Sequence, residues 1–323
     1  MNKSKKILLS VFLTIFSIVA TLVVAEILLR IKNSDGTNYH IEMWKYSRDL
    51  KKTSDNPVLG HEHIPNSEAV LQNVKIRINE KGMRGPSIPP QKKGQRRILL
   101  IGSSATFGWG VKEESTMAAV LQKMFDAKKK NAIVMNAGIG NYNTKRYVEL
   151  TLSKYTDVMP SDIVVNYYLN DAEILNQDGG NILIRNSELA VTFWILANRI
   201  LGKFGSRSLY DHYRDIYNNS YPGFIDMNAS LKRLADYAQT HNIRLYLMMM
   251  PEVHDLTDYR YGFSHEIMAD IAAKYGFIYI DALPALKKVA DAESLWAMPG
   301  DPHPNAKAHR IFAEVLFPEL AKQ

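Results

Sequence analysis

From Arg96 onward, short apolar runs alternate with segments that place apolar residues at helical spacing, and few architectures accept that beat. Ile98–Ile101 is wholly apolar and ends at Gly102, the pattern of a strand buried on both faces that runs into a turn. Thr116–Lys129 follows with Met117, Val120, Leu121, Met124 and Phe125 on one helical face. A strand over Ala132–Met135, a helix over Thr144–Tyr155 and a strand over Asp162–Leu169 continue the series. After an irregular stretch it resumes with helix Asn228–Thr240, strand Ile243–Met250, helix Ser264–Tyr275, strand Phe277–Ile280 and helix Ala306–Leu320. Such alternation predicts an α/β class: right-handed βαβ units on a parallel sheet with helices on both faces. Ligands of such sheets sit beyond the carboxyl ends of the strands, so chemistry is expected in the turns that follow them.

Four of those turns carry it. The first strand runs into Gly102-Ser103-Ser104-Ala105-Thr106-Phe107-Gly108, where small residues permit a sharp strand-to-helix turn under a serine hydroxyl. The second ends in Asn136-Ala137-Gly138-Ile139-Gly140-Asn141-Tyr142-Asn143-Thr144, the third in Tyr168-Leu169-Asn170-Asp171, and Gly300-Asp301-Pro302-His303-Pro304-Asn305 precedes the last helix. Together they offer a hydroxyl, backbone N–H donors, a side-chain amide and an imidazole with a carboxylate two residues away. Acyl transfer through a covalent ester needs that set, because a serine hydroxyl is a weak nucleophile until a histidine takes its proton.

In this order the turns resemble the SGNH (GDSL-type) hydrolase superfamily. Its nucleophile motif Gly-Asp-Ser-x-(Ser/Thr)-x-Gly matches Gly102–Gly108, which makes Ser104 the expected nucleophile. The terminal Asp/His motif maps onto Asp301 and His303, the expected carboxylate and base. The oxyanion residues implied are Ser104 through its N–H, Gly140 or Asn141, and Asn170. The resemblance spans residues 96–322 and implies a three-layer α/β/α sandwich with a flavodoxin-like sheet, serine esterase chemistry and no metal or other cofactor. Three departures stand out: Ser103 replaces the acid before the nucleophile, Asn141 falls at the oxyanion glycine, and Asp301 lies two residues before His303 instead of three. Two-residue spacing resembles polysaccharide O-acetyltransferase relatives. The stretch from Asn56 to Gly60 and from Asn79 to Gly85 also resembles the lead-in of membrane-anchored bacterial members.

Ahead of this body, Ile7–Ala25 holds 19 residues without a charge, preceded by Lys3, Lys5 and Lys6. A run of that length can cross a hydrocarbon core of about 30 Å as a helix. A retained anchor is the expectation, since Ile27-Leu28-Leu29 carry the apolar pattern on. A cleaved signal peptide is the alternative, given small residues at Val23-x-Ala25. The shape of the segment places the body extracytoplasmically, at the periplasm or cell surface. The expected organisation is an anchor over 1–31, a stalk or pre-domain over 32–95 and a catalytic domain over 96–323 with an insertion at about 172–222.

Charge and composition then prune the alternatives. Residues 1–52 hold nine Lys/Arg against four acids, so +5 of the net +7 is N-terminal and the body is near neutral. No basic stripe interleaved with aromatics remains, which speaks against nucleic acid as a partner. The absence of cysteine removes thiol nucleophiles and Cys-held metals. His61-x-His63 reads as a solvated loop, Asp171 as a tie to backbone amides, Asn305 as the cap of the last helix and His309 as structural. Leu189–Leu201 is apolar but too short to span a bilayer; packing on the core is expected, with a lid as the alternative. Trp194, Tyr210, Tyr213 and Tyr217 are candidates for stacking on sugar rings.

The expected partners are thus an ester or acylated glycan, the lipid bilayer and, for a transferase, a membrane acyl-donor protein. The expected function is an esterase removing acyl groups from carbohydrates. O-acetyltransfer to an exported polysaccharide, or non-catalytic carbohydrate binding on the same fold, are the alternatives.

Overall fold

The computed structural model describes residues 2–175, 182–202 and 208–322. Helices α1 (Lys3–Lys32) and α2 (Tyr39–Asp49) open the chain. Two small antiparallel pairs follow, β1 (Lys51–Thr53) with β2 (His61–His63), and β3 (Glu68–Leu71) with β4 (Val74–Arg77). The βα series comprises β5 (Arg96–Gly102), α3 (Ser104–Phe107), α4 (Met117–Ala127), β6 (Ala132–Gly138), α5 (Thr144–Lys154) and β7 (Asp162–Tyr168). After α6 (Ile182–Asn186), α7 (Glu188–Gly202) and α8 (Leu209–Ile216) come α9 (Pro222–Thr240), β8 (Arg244–Met250), α10 (Gly262–Tyr275) and β9 (Ile278–Asp281). The chain closes with α11 (Leu283–Leu286), the hairpin β10 (Trp296–Met298) and β11 (Asp301–Pro304), and α12 (Ala306–Ala321).

The central sheet has the order β6-β5-β7-β8-β9 with every pairing parallel, as the alternating pattern predicts. Side chains alternate between its faces. Ile98 and Leu100 of β5 pack in one core with Leu121, Phe125, Phe312 and Leu316 from α4 and α12. Leu99 and Ile101 enter the other, with Tyr147, Val148, Leu231 and Met268 from α5, α9 and α10. A period of two on a sheet covered on both sides therefore produces the uninterrupted apolar runs of the sequence. Side-chain caps start the helices where backbone donors would otherwise lack acceptors. Thr116 caps α4, Asn143 caps α5 and Asn305 caps α12, the last as expected.

The chain divides into two compact units: Met1–Arg48 with Asp178–Ser206, and Asp49–Gln177 with Arg207–Gln323. In the first, α1 buries none of its residues and is long and apolar enough to cross a membrane, as a signal-anchor is. The apolar stretch expected to pack on the main core belongs to this unit instead. Val191 of α7 forms a cluster with Ile41 and Trp44 of α2, joined by Ile184 and Ile195. Trp194 lies on the same helix and is exposed. Tyr213 and Tyr217 are buried in the main core and cannot stack on a sugar.

At the amino end of the sheet, Asp162 is fully buried and joins three strands. Its carboxylate takes hydrogen bonds from Arg96 of β5 at 2.8 and 3.2 Å and from Arg244 of β8 at 2.8 and 3.1 Å. Removing one member of a buried charge network leaves the others desolvated without their counter-charge. Asp162→Ala is therefore expected to lower unfolding free energy by about 3–5 kcal/mol, read from urea denaturation of the full chain in detergent. A loss below about 1 kcal/mol, the level of an exposed pair, would contradict the assignment.

Candidate active site

Ser104 is the first residue of α3, directly after β5, and two glycines make that placement possible. Gly102 has φ +155°, and a Cβ there would lie 2.2 Å from Thr106 Oγ1 and 2.7 Å from the carbonyl of Asn166. Gly138, at the end of β6, sits under α3: a Cβ would meet the Phe107 nitrogen at 2.2 Å. The strand-to-helix turn thus presses its backbone onto β6. Its far end is tied down from outside the βα series. The Arg84 guanidinium, buried over the Phe107 ring, donates to the carbonyls of Phe107 (2.9 Å), Gly108 (2.6 Å) and Val111. Asn136 Nδ2 adds a bond to the Phe107 carbonyl at 3.3 Å.

Ser104 Oγ lies 2.8 Å from His303 Nε2, and His303 Nδ1 lies 2.5 Å from Asp301 Oδ1. The His303 backbone N–H also donates to Asp301 Oδ1 at 3.2 Å, a link that two-residue spacing makes available. Both residues belong to β11. Asn305 then fastens the strand by donating through Nδ2 to the carbonyls of Ser294 and Trp296 while its Oδ1 caps α12. Gln72, at the tip of the β3-β4 hairpin, donates to Asp301 Oδ2 at 3.2 Å. Trp109 meets the His303 ring edge-on at 6.5 Å between centroids. Burial works to raise the Asp301 pKa, but the bonds from His303 and Gln72 outweigh it and hold the carboxyl below its usual value.

The implied oxyanion residues lie in the turns that follow β5, β6 and β7, three adjacent strands of the sheet. In the β6-α5 loop, the Gly138 N–H is taken by Asn136 Oδ1 (3.0 Å) and the Ile139 N–H by the Gly102 carbonyl (3.2 Å). The Asn141 N–H donates to no acceptor among the described residues, and Asn141 adopts the left-handed φ of 63° that asparagine tolerates. The Ser104 N–H, at the start of α3, is likewise unengaged among these residues. So is the exposed side-chain amide of Asn170, in the turn after β7.

Buried cations hold the carbonyls around Asn141. Lys51 Nζ donates to the Gly140 carbonyl at 2.6 Å and His61 Nε2 donates to it at 3.2 Å. Arg146 donates to the Asn141 carbonyl at 3.3 Å. Because a trans peptide points its N–H opposite its C=O, fixing the Gly140 carbonyl also fixes the direction of the Asn141 N–H. Burial, with Arg146 nearby, brings the Lys51 ammonium down to about 7. Burial and Lys51 together hold His61 neutral, down to about 2. The expected solvated His61-x-His63 loop is thus corrected to a strand, with His63 buried and bonded through Nδ1 to the Gly82 carbonyl at 2.8 Å. A period of two in the sequence was too short there to signal it. No cluster of three or more metal-ligating side chains occurs among the described residues.

Lys51, Gln72, Arg84 and Arg146 were not read as site residues from the sequence. Only Gln72 left a trace, in the alternating run on either side of Gln72-Asn73, which matches a tight hairpin. His309 is structural as expected, buried with its Nδ1 accepting the Met117 N–H at 3.0 Å.

The profile of the GDSL-like Lipase/Acylhydrolase family matches residues 100–311, well over half of the chain, and the chain belongs to this family. It is similar to the solved structure of the psychrotrophic esterase EstA from Pseudoalteromonas sp., with 15% identity and a TM-score of 0.43 over 71% of this chain and 98% of that one. It is also similar to the acetylxylan esterase Axe2 from Geobacillus stearothermophilus, with 14% identity and a TM-score of 0.46 over 70% and 94%. No curated protein sequence gives a significant match.

Asp171 sits beneath this edge, fully buried, and accepts the Tyr168 N–H at 3.1 Å, the backbone tie expected of it. Burial raises its pKa to about 8, against the opposing bonds from Tyr168, Ser103 and Tyr147. The folded state therefore keeps a proton that the unfolded state, titrating near 3.8, has lost. Its stabilising contribution is complete below about pH 4 and is lost as pH rises toward 8. Asp171→Asn should flatten the decline in unfolding free energy across pH 4–8, measured by urea denaturation at each pH. Parallel curves for the two proteins would refute it.

Proposed function

We propose that the protein is a membrane-anchored serine esterase with an extracytoplasmic body, removing acyl groups, acetyl in particular, from carbohydrate esters at the cell surface. One observation carries the reading: the hydrogen-bonded line from Ser104 Oγ through His303 to Asp301. As His303 Nε2 accepts the hydroxyl proton, Ser104 Oγ bonds to the ester carbonyl carbon and the carbonyl oxygen becomes an oxyanion. Asp301 holds the imidazole with Nδ1 protonated and stabilises the imidazolium. The oxyanion takes hydrogen bonds from the N–H groups of Ser104 and Asn141, the latter braced through Gly140, and from the Asn170 amide. Collapse breaks the ester C–O bond, and the leaving sugar oxygen receives the proton from Nε2. Water, deprotonated by His303, then attacks the acyl-Ser104 ester; the acyl C–Oγ bond breaks, the carboxylic acid leaves and Nε2 returns the proton to Ser104 Oγ.

The family and α1 support an acylhydrolase held at a membrane. A second reading is O-acetyltransfer, in which a sugar hydroxyl replaces water and a membrane protein donates the acyl group. The two-residue Asp301–His303 spacing favours it, through the resemblance to O-acetyltransferase relatives.

The test incubates the full chain in detergent with p-nitrophenyl acetate, with and without a chitooligosaccharide, following nitrophenol release and sugar mass. Ser104→Ala is expected to lower release by about 10³-fold or more. Free acetate as the only product supports hydrolysis; acetylated sugar supports transfer. Release that Ser104→Ala leaves unchanged would overturn the mechanism, and no release above background would overturn it in favour of a non-catalytic carbohydrate-binding protein.

Lys51→Met leaves the reacting groups in place but loosens the Asn141 donor. It should lower kcat about tenfold with little change in KM. A change in KM alone would assign Lys51 to substrate binding instead.

A further inference from the structure

Helix α7 is apolar on two opposite sides, and among the described residues only one of them has a partner. Val191 and Ile195 face the cluster with Ile41 and Trp44. On the other side, Phe193, Leu196 and Ile200 are 62, 49 and 54% exposed, with Trp194 beside them at 51%. At 100° per residue, Leu189, Phe193, Leu196, Ala197 and Ile200 fall within an arc of about 100°. Exposing so many large apolar side chains on one stripe of a 15-residue helix is unfavourable in water.

The start of α7 is pinned to α1 at a particular level. Glu26 is the first charged residue after the apolar run Ile7–Ala25. Its carboxylate accepts the backbone N–H groups of Glu188 (3.0 Å) and Leu189 (2.8 Å) and the Ser187 hydroxyl (2.9 Å). It thus satisfies the first-turn donors of α7. Arg30, bonded to Glu26 at 2.7 Å, donates to the Asn186 carbonyl at 3.1 Å, and Asn33 Nδ2 donates to Glu188 Oε2 at 3.1 Å. With α1 across a bilayer, this knot lies where hydrocarbon gives way to headgroups. The exposed stripe of α7 begins there, continuous with the unburied surface of α1.

We propose that α7 is a second membrane contact of the chain, seated in the bilayer interface with Phe193, Trp194, Leu196 and Ile200 among the acyl chains. The proposal rests on α1 being a retained anchor. Lipid is the occupant because the stripe continues the surface of a helix that itself requires lipid. The chemistry of the helix fits: Trp194 has an apolar body with one N–H donor, suited to the headgroup boundary. Arg185 and Arg199 are exposed cations for lipid phosphates. The stretch Leu189–Leu201, which the sequence suggested as core packing or a lid, then serves to hold the first unit against the membrane surface.

The chain has no cysteine, so single-cysteine variants report one position each. The full chain carrying Val19→Cys, Leu196→Cys, Ile200→Cys or Lys123→Cys would be nitroxide-labelled in vesicles of phosphatidylethanolamine and phosphatidylglycerol. Collision with oxygen, which concentrates in lipid, is compared with collision with a water-soluble nickel chelate. The labels at 196 and 200 should show an oxygen-to-nickel ratio several-fold above that at 123 and close to that at 19. Water-like ratios at 196 and 200 beside a lipid-like ratio at 19 would overturn the proposal and leave the anchor standing. Low access to both reagents at 196 and 200 would overturn it in favour of a protein partner or a second copy. A water-like ratio at 19 would remove the anchor and the proposal together.

Discussion

The close approach of one short helix to the sheet governs the rest of the candidate site. Helix α3 starts two residues after β5, and its backbone lies where a Cβ on Gly138 would be. That contact lifts Ser104 above the sheet edge and, among the described residues, leaves its N–H unengaged at the beginning of a helix. His303, about 200 residues later in the chain, reaches the hydroxyl because β11 runs to the same edge. The hydrogen bond between them is thus a consequence of where two glycines let the backbone go.

Around that contact, backbone carbonyls are held by buried nitrogen donors contributed from outside the βα series. Arg84 takes the carbonyls at the end of α3, and Lys51 with His61 takes the Gly140 carbonyl. Each bond fixes a peptide plane, and a fixed plane aims the N–H on its other side. The small strands before β5 therefore do more than connect. They fix the backbone of the candidate site, whose Ser104, Asp301 and His303 lie elsewhere in the chain. Desolvation disfavours the charged form of such donors, bringing the Lys51 ammonium down to about 7 and leaving His61 neutral.

The strands and helices of the central sheet were legible because each buries one kind of surface. Continuous apolar runs became strands covered on both faces, and stripes at helical spacing became the helices over them. Where a segment was short or mixed, the reading failed. Three residues of β2 cannot display a period, so His61 and His63 looked solvated. Helix α9 begins at Pro222, six residues before its clearest apolar stripe at Asn228. Leu189–Leu201 was correctly seen as apolar, but composition cannot say which apolar surface it meets.

From the sequence alone came the α/β class, the order of the sheet-forming segments, the long apolar helix and, as candidates, the residues Ser104, Asp301, His303, Gly140, Asn141 and Asn170. These depend on local periodicity and on residue types that chemistry needs, and both are written along the chain. Tertiary structure alone decided which N–H near Gly140 is unengaged among the described residues, that Gln72 holds Asp301, and that Glu26 caps α7. Those outcomes depend on contacts between residues tens to hundreds of positions apart. Linear spacing carries no record of such contacts, because each is set by how the sheet and helices bring distant loops to one edge.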